Sequence, residues 1–457
     1  MAAAVSVRPA AVAGAFYPGD ARELAADLED LLDGVECLEP RIGFPKVLVV
    51  PHAGYIYSGS TAACAYDALS AARGIVRRVV LLGPVHRVPV RGLALPVADA
   101  FETPLGRVPV DARGVDSLAG LAQVVRNAPA HAMEHSLEVQ LPFLQKVLGE
   151  FSLLPFAVGD ASVEAVSQVI ERLWGGPETV IVISTDLSHY HEYEAARRID
   201  AATLARIEGF ATDLDHEEAC GATPLNGLLA LARRKNLTIR RLAACNSGDT
   251  AGGHDRVVGY SSFALYEGGE VAQADAGRTL IAIARGAIER SLGLPSTPEG
   301  ARPPWLAQLG ATFVTLTKDG QLRGCIGSLA AARPLGEDVA ANALAAAFGD
   351  PRFPKLSPDE WPRCELEVSL LSAPKTIRFA DEADLLAQVC AGKDGIIVEQ
   401  GGQRATYLPQ VWEQLPDKRA FLGELMRKAG LPAGTRLARC KVSRYRVTKF
   451  DGRALVA

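Results

Sequence analysis

Three histidines of this sequence each follow a short run of apolar, mostly β-branched residues. Such runs, when bounded by Pro, Gly or polar turn residues, are typical of strands that are covered on both faces. The strands and their histidines are Val47–Val50 with His52, Val79–Leu82 with His86, and Val180–Ile183 with His189. In open α/β sheets the ligand crevice lies outside the carboxyl ends of the strands. We therefore expect three imidazoles to meet at one edge of a sheet.

The segment between the first two strands has the composition of a helix over Thr61–Ala72. A strand, helix, strand unit of this length is a crossover between parallel strands, so His52 and His86 are predicted at the same end of the sheet. Imidazole is a ligand for Fe, Zn and Cu, and two histidines with one carboxylate and open positions bind non-haem Fe(II). The alternative interpretation is that each histidine is only a hydrogen-bonding group at a strand end.

Other polar residues accompany this predicted edge. Asp186 lies three residues before His189, and it is either part of the site or a local turn former. A helix is predicted to start near His135, which shares a face with Glu138. Tyr55, in the turn after the first histidine, is either a wall of the crevice or a core residue.

Composition limits the class of protein. A chain of 457 residues predicts two or three domains, and 48% apolar with 22% charged residues is usual for a globular protein. The net charge of −5 without a basic block argues against nucleic-acid binding, and no apolar run reaches the ~18 residues of a membrane span. The eight cysteines form no Cys-x-x-Cys pair, and the first residues lack the pattern of a signal peptide. We expect reduced thiols in a cytoplasmic protein, with its oligomeric state left open.

Strands and helices alternate up to about residue 266, which predicts an α/β domain with a largely parallel central sheet over 1–266. Composition shifts over 267–275, which we interpret as a linker. Short strands and helices then mix over 276–457, including a hairpin turn at Asp319-Gly320, which predicts a smaller α+β domain.

One cysteine of the second domain stands in a distinctive setting. Cys325 follows Arg323 and Gly324. Positive charge lowers the pKa of a thiol, so Cys325 is either an activated thiolate or an inert residue among glycines that allow close strand packing.

Several motifs, taken in order, resemble the Memo family, which is similar in fold to the LigB-type class III extradiol dioxygenases. They are Pro51-His52-Ala53-Gly54-Tyr55, Gly83-Pro84-Val85-His86, Glu134-His135-Ser136, Ser184-Thr185-Asp186-Leu187-Ser188-His189 and Asn246-Ser247-Gly248-Asp249. From about 275 to 452 the chain resembles the AMMECR family, through Leu322-Arg323-Gly324-Cys325-Ile326-Gly327 and Asp350-Pro351-Arg352-Phe353. In prokaryotes the two families are associated with a radical-SAM protein, as the AmmeMemoRadiSam system, so this chain resembles a fusion of proteins B and A.

The resemblance implies roles for individual residues. His52 and His86 match the metal-binding histidines, and His189 matches an acid/base histidine with Asp186 beside it, while His135 orients the substrate. The implied cofactor is Fe(II), with Zn or Cu as alternatives, and the implied partners are a small-molecule substrate or modified peptide and a radical-SAM protein.

The third metal ligand is where this sequence departs from its relatives, which use a carboxylate or a cysteine before the last strand. Alignment on Val257-Val258-Gly259-Tyr260 places Thr250 at that position, with Asp249 adjacent and Cys245 slightly earlier. Asp249 and Cys245 are therefore the candidates for this ligand.

Two functions of different class remain open. One is a mononuclear metal-dependent oxidoreductase related to the extradiol dioxygenases, in which His189 moves the proton. The other is a metal-binding or peptide-binding module that keeps the crevice without the chemistry, so whether the chain is an enzyme is left open. A metal-free hydrolase has no support, because the sequence has no Gly-x-Ser-x-Gly elbow.

Overall fold

The computed structural model describes residues 5–36, 40–268, 271–296, 302–432 and 435–453. The chain divides into two compact units, 1–35 with 44–270 and 36–43 with 271–457. The segment 36–43 thus belongs with the second unit, where the Gln308 side chain bonds the Arg41 carbonyl and the Gly43 amide. The first helix of that unit begins at Gln273, inside the segment interpreted as a linker.

The first unit is built from alternating strands and helices. Its strands are β1 (Val7–Arg8), β2 (Val47–Val50), β3 (Arg78–Pro84), β4 (Leu93–Leu95), β5 (Ala100–Thr103), β6 (Gly106–Pro109), β7 (Val124–Arg126), β8 (Ser152–Val158), β9 (Thr179–Ser184), β10 (His189–His191), β11 (Thr238–Asn246) and β12 (Val257–Tyr266). Its helices are α1 (Ala21–Asp33), α2 (Tyr55–Leu69), α3 (Ala112–Ser117), α4 (Ala128–Ala132), α5 (His135–Glu138), α6 (Leu141–Leu148), α7 (Val163–Arg172), α8 (Tyr193–Glu208) and α9 (Ala222–Arg234).

The central sheet has the order β10-β12-β2-β9-β3-β8-β4-β7, with β11 beside β12. Strands β2, β9, β3 and β8 run parallel, whereas β12 and β4 pair antiparallel with β2 and β8. The predicted α/β domain with a largely parallel sheet is confirmed. Strands β2 and β3 are parallel, as predicted, but β9 lies between them.

The central strands are apolar throughout because helices cover both faces of the sheet. Leu48 and Val50 of β2 belong to the apolar layer that includes α1, α2 and α6. Val47 and Val49 belong to the opposite layer, with α7 and α9. Successive side chains of a strand point to opposite faces, so both sets must be apolar.

Two helices differ from the sequence-based expectation. Helix α2 begins at Tyr55 rather than near Thr61, because Gly54 serves as its N-cap and its first turn is partly buried. Helix α9 is absent from the predicted elements, because Pro224, Asn226 and Gly227 in its first turns are residues typical of loops.

The second unit contains two four-stranded antiparallel sheets and four α-helices among its described residues. Its strands are β13 (Leu309–Gly310), β14 (Thr312–Lys318), β15 (Gln321–Gly327), β16 (Arg333–Pro334), β17 (Cys364–Leu371), β18 (Lys375–Thr376), β19 (Gly395–Gln400), β20 (Gln403–Tyr407), β21 (Lys441–Tyr445) and β22 (Val447–Asp451). Its helices are α10 (Gln273–Ser291), α11 (Leu335–Phe348), α12 (Glu382–Gln388) and α13 (Lys418–Lys428).

The sheet orders in this unit are β15-β14-β17-β22 and β18-β21-β19-β20. The predicted hairpin joins β14 to β15, and its turn residues Asp319 and Gly320 have φ values of 50° and 80°. Two positive φ values are what a tight hairpin turn requires. The predicted α+β character of this domain is confirmed. Across the described ranges of both units, no helix combines the length and apolarity needed to cross a bilayer.

Candidate functional site

Three imidazoles meet at the carboxyl edge of the central sheet. His52 follows β2, His86 follows β3, and His135 begins α5. The ring centroids lie 5.2 Å apart for His52 and His86, 5.5 Å for His52 and His135, and 4.7 Å for His86 and His135. They face a cavity of about 810 Å³ that is lined by His52, His86, Arg87, His135, Asp186, His189, Tyr190, His191, His216, Glu217 and Cys220.

A buried chain of hydrogen bonds determines which nitrogen of His52 carries its proton. The Ser184 hydroxyl donates to the Ser136 carbonyl (2.6 Å) and accepts from Gln140 Nε2 (2.9 Å). Gln140 Nε2 is identified as the amino end because it also donates to a carbonyl, while Oε1 accepts from the Tyr66 hydroxyl. With its only hydrogen committed, Ser184 Oγ must accept from His52 Nδ1, 2.9 Å away. His52 Nε2 is therefore an unprotonated lone pair at the cavity.

A carboxylate has the same effect on His86. Glu134 is buried and accepts from the His86 amide (2.7 Å) and from His86 Nδ1 (2.9 Å). Burial opposes ionisation of Glu134, but the His86 hydrogen bonds, the charge of His86 and the Ser136 amide outweigh it and lower its pKa to about 2. An ionised carboxylate only accepts, so Nδ1 of His86 carries a proton, and in the neutral imidazole Nε2 keeps its lone pair.

Asp186 lies beside this pair. Its Oδ1 accepts from the His52 amide (2.7 Å), and its Oδ2 lies 3.9 Å from His52 Nε2. Burial raises the pKa of Asp186, while the His52 amide and the charge of His189 act in the opposite direction. His189 lines the same cavity from β10, where an irregular register opposite β12 interrupts the strand pairing.

A cysteine that the sequence analysis did not single out lies against His52. Cys220 Sγ is 3.4 Å from His52 Nε2 and 3.3 Å from the Asp186 amide, which donates to it. Burial raises the pKa of this thiol to about 12. Cys220 precedes α9, the helix missing from the predicted elements. The sequence offered one signal for this residue, because Cys220 and Gly221 stand directly before an Ala- and Leu-rich segment.

Two sets of side chains in the described ranges could hold a metal ion. His52, His86 and Cys220 each offer a ligand atom, and these atoms lie within 4.8 Å of one another. His86, Glu134 and His135 form a second set by the same measure. Two imidazoles with fixed lone pairs and a thiol fit Fe, Zn or Cu better than Mg or Ca, which prefer oxygen ligands.

The two predicted candidates for the third ligand lie elsewhere. Cys245 Sγ is 3.0 Å from Thr61 Oγ1. Asp249 accepts from the Asn246 amide (2.8 Å) and from the Tyr193 hydroxyl, so its carboxylate shapes the turn at Ser247–Asp249. Neither side chain lines the cavity. The alignment identified a loop near the site, but the strand β11 and its turn direct these groups into local contacts.

Tyr55 is a core residue rather than a wall of the crevice. It is 5% exposed, its hydroxyl donates to the Val139 carbonyl (2.8 Å), and its ring packs on Phe143. Of the two alternatives that the sequence left open, the structure supports the core position.

In the second unit, Arg323 and Cys325 lie on β15. The Arg323 guanidinium bonds Glu360 through Nε and Nη2. Cys325 is half-buried, and its Sγ accepts from Thr315 Oγ1 (3.4 Å). A Cβ at Gly324 would lie 2.1 Å from the Ala346 carbonyl oxygen of α11, so this glycine permits close packing of strand and helix. The activated thiolate at Cys325 stays a prediction.

The chain resembles proteins of known family along both units. Residues 8–264 match the family described as Memo-like protein, and residues 281–450 match the family described as AMMECR1. A MEMO1 family protein of Aquifex aeolicus is 39% identical over 274 residues, covering 56% of this chain and 97% of that protein. One from Thermoplasma volcanium is 32% identical over 267 residues, with coverages of 56% and 97%.

A solved structure of an uncharacterized protein from Pyrococcus horikoshii is 35% identical, with a TM-score of 0.34 over 38% of this chain and 89% of its own. The Memo family model matches more than half of this chain, and the chain covers nearly the whole length of its Memo relatives. This chain therefore belongs to the Memo family, and it carries an AMMECR1 domain after its Memo domain.

Proposed function

We propose that the Memo domain is a mononuclear metal-dependent oxidoreductase, related in its chemistry to the class III extradiol dioxygenases. His52 and His86 hold the metal, which we propose to be Fe(II), with Zn or Cu as alternatives. The observation that carries this proposal is the pair of Nε2 lone pairs directed at one cavity, each fixed by a buried partner of Nδ1. Ligating histidines in proteins are oriented in this way by a partner on the other ring nitrogen.

The bound metal would supply Lewis acidity and electrons for a reaction of substrate with O₂. His189 accepts a proton from a substrate hydroxyl and returns it later, since an imidazole exchanges protons near neutral pH. His135 stacks on His86 at 27° between ring planes and forms part of the wall that orients the substrate. Asp186 holds the His52 backbone in place by accepting a hydrogen bond from the His52 amide.

The proposed substrate is a small oxidisable molecule or a modified peptide, because the cavity of about 810 Å³ is open and lined by imidazoles. From the family resemblance we propose a radical-SAM protein as a partner, and no nucleic acid or membrane. We propose a cytoplasmic location because the seven cysteines of the described ranges are all free thiols.

One observation favours a second candidate function, a metal- or peptide-binding module without catalysis. The third ligand atom within 4.8 Å of those of His52 and His86 is the thiol sulfur of Cys220. The extradiol dioxygenases are expected to use a carboxylate at this place. This candidate shares the metal site and differs in the absence of turnover.

The experiment begins with anaerobic purification of the full chain and measurement of Fe, Zn and Cu content. The variant with both His52→Ala and His86→Ala is expected to lose the metal, and His254→Ala, an exposed histidine outside the cavity, to retain it. Equal metal in the double variant and the parent would contradict the site and both candidate functions.

Oxygen consumption with catechol-type substrates separates the two candidates. The oxidoreductase predicts turnover that falls by about 10²–10⁴-fold in His189→Ala while the metal content is unchanged. Retained iron without any consumption of O₂ across such substrates supports the non-catalytic module instead.

A further inference from the structure

We propose that Tyr190 determines which substrates the cavity accepts, by stacking its ring on the planar aromatic ring of a small molecule. The inference deepens the proposed function and rests on it, because the neighbouring residue His189 is the proposed proton acceptor. It adds a specificity-determining residue to the site and names aromatic molecules as the substrate class.

Tyr190 is the extra residue of a bulge in β10. His189 pairs with Val258 of β12 and His191 pairs with Val257, so Tyr190 has no partner in the described strand β12. In a regular strand, successive side chains point to opposite faces. Here His189, Tyr190 and His191 all line the same cavity. Bulges re-aim side chains in this way and are frequent next to active sites. The bulge therefore brings the Tyr190 ring into the cavity together with both histidines.

The backbone of Tyr190 is strained. Its φ value is 62°, in the left-handed region that bulky residues rarely adopt. The other non-glycine residues of the described ranges with positive φ are Phe210, Asn236 and Asp319. Asn and Asp tolerate this region, and Phe210 packs against the apolar layer that includes α7 and α9. Tyr190 has neither advantage, because it is 62% exposed. A strained aromatic residue that lines a cavity and is not buried points to a role in binding.

Two neighbours hold the Tyr190 ring and leave part of it accessible. The Arg256 guanidinium lies over the ring, 4.9 Å from its centroid. The His189 ring meets it at 67° between planes, with the centroids 5.7 Å apart. Stacked aromatic rings have centroids about 4.5–7 Å apart, so a substrate ring stacked on Tyr190 lies beside His189. This position suits a hydroxyl of the substrate ring that gives its proton to His189.

The cavity suits a small aromatic molecule. Its volume of about 810 Å³ lies in the usual range for sites that bind small ligands. Among the lining residues of the described ranges, Tyr190 has the one phenyl ring, and the others are His, Arg, Asp, Glu and Cys. Such sites hold the apolar part of a ligand against apolar or aromatic side chains. Tyr190 is therefore the surface on which an aromatic ring would rest.

The test uses the full chain under anaerobic conditions, with its metal content measured, and 4-nitrocatechol as the probe. Binding is followed through the visible absorption of the probe. Tyr190→Phe is expected to keep the affinity of the parent, because the ring is retained. Tyr190→Leu is expected to bind the probe about 2–10-fold more weakly, because the aromatic contact is lost while an apolar side chain remains. Tyr57→Leu is the matched control and is expected to bind like the parent, because Tyr57 is an exposed tyrosine that does not line the cavity.

Tyr190→Gly separates binding from stability. This change removes the backbone strain and the ring together, so the melting temperature of the Memo domain is expected to rise by about 2–4 °C while binding of 4-nitrocatechol weakens. Asn236→Gly is the control for relief of a positive φ outside the cavity, since Asn236 is exposed and has a φ value of 52°. It is expected to leave binding of the probe unchanged.

Equal binding of 4-nitrocatechol by Tyr190→Leu and the parent would overturn the role of Tyr190 and leave the proposed function in place. Weaker binding in Tyr190→Phe, to the same degree as in Tyr190→Leu, would assign the effect to the hydroxyl and overturn the stacking. A lower melting temperature of Tyr190→Gly would overturn the argument from strain and the proposal with it.

Two outcomes in the parent separate this inference from the function on which it rests. A parent that contains no metal, yet binds 4-nitrocatechol through Tyr190, contradicts the oxidoreductase and supports the aromatic site. A parent that contains metal but does not bind 4-nitrocatechol retains the metal site and overturns the aromatic substrate class.

Discussion

Replacing Ser184 with alanine tests the reasoning about the His52 tautomer most directly. In the native chain Ser184 Oγ is the acceptor for Nδ1–H of His52, because its own hydrogen goes to the Ser136 carbonyl. Without that acceptor the proton can occupy either ring nitrogen. In one of the two tautomers Nε2 carries the hydrogen and cannot bind a metal.

The magnitude follows from the partners that are lost. Removal of a group that orients a ligating histidine costs about 10–100-fold in metal affinity, or about 1.4–2.8 kcal/mol. Ser184→Ala also leaves Nδ1–H of His52 and one hydrogen of Gln140 without a partner in a fully buried environment, so we expect unfolding free energy to fall by about 1–3 kcal/mol.

The assay compares Zn(II) affinity and the ¹⁵N spectrum of the imidazoles in metal-free protein. We expect the parent to show His52 protonated at Nδ1, and Ser184→Ala to show a mixture of tautomers with weaker Zn(II) binding. Ser167→Ala is the matched control, because Ser167 is equally buried, donates to the Gly227 carbonyl and does not line the cavity. A single Nδ1–H tautomer and unchanged affinity in Ser184→Ala would refute the argument.

Three further predictions concern stability and positioning. Burial lowers the pKa of His131 from 6.5 to about 4, so the unfolded chain binds an additional proton as the pH falls below 6.5. This group should therefore lower the free energy of unfolding by about 2 kcal/mol between pH 7 and pH 5. Denaturant titrations of His131→Gln should show a free energy of unfolding that lacks this pH dependence. Gly221→Ala places a Cβ 2.7 Å from a strand carbonyl oxygen and should weaken Co(II) binding about tenfold, whereas Gly253→Ala, with open space around it, should not. Asp338→Ala removes the acceptor of the Thr312 amide and hydroxyl, so it should destabilise the AMMECR1 domain by about 3 kcal/mol. Tryptophan fluorescence should show an earlier unfolding transition, because three of the four tryptophans lie in that domain. An unshifted transition would contradict this prediction.

Local patterns were sufficient for much of the architecture. The strands that precede His52 and His86 were predictable because buried parallel strands must be apolar on both faces. The hairpin at Asp319-Gly320 was predictable because two positive φ values limit the residues that a tight turn accepts. Helix α9 was not, since the Pro, Asn and Gly residues of its first turns are as typical of a loop as of a helix.

By itself, the sequence determined the two domains, the class of each, and the meeting of His52 and His86 at one sheet edge, because strand direction follows from chain connectivity. Only the tertiary structure decided the tautomers of these histidines and the arrival of Cys220 beside them. Those features depend on contacts between residues more than 40 positions apart, such as Glu134 with His86 and Cys220 with His52. The Cys-Gly pair before α9 marks Cys220 in the sequence. No local pattern shows that Cys220 contacts His52, because packing of the helices and loops above the sheet sets that geometry.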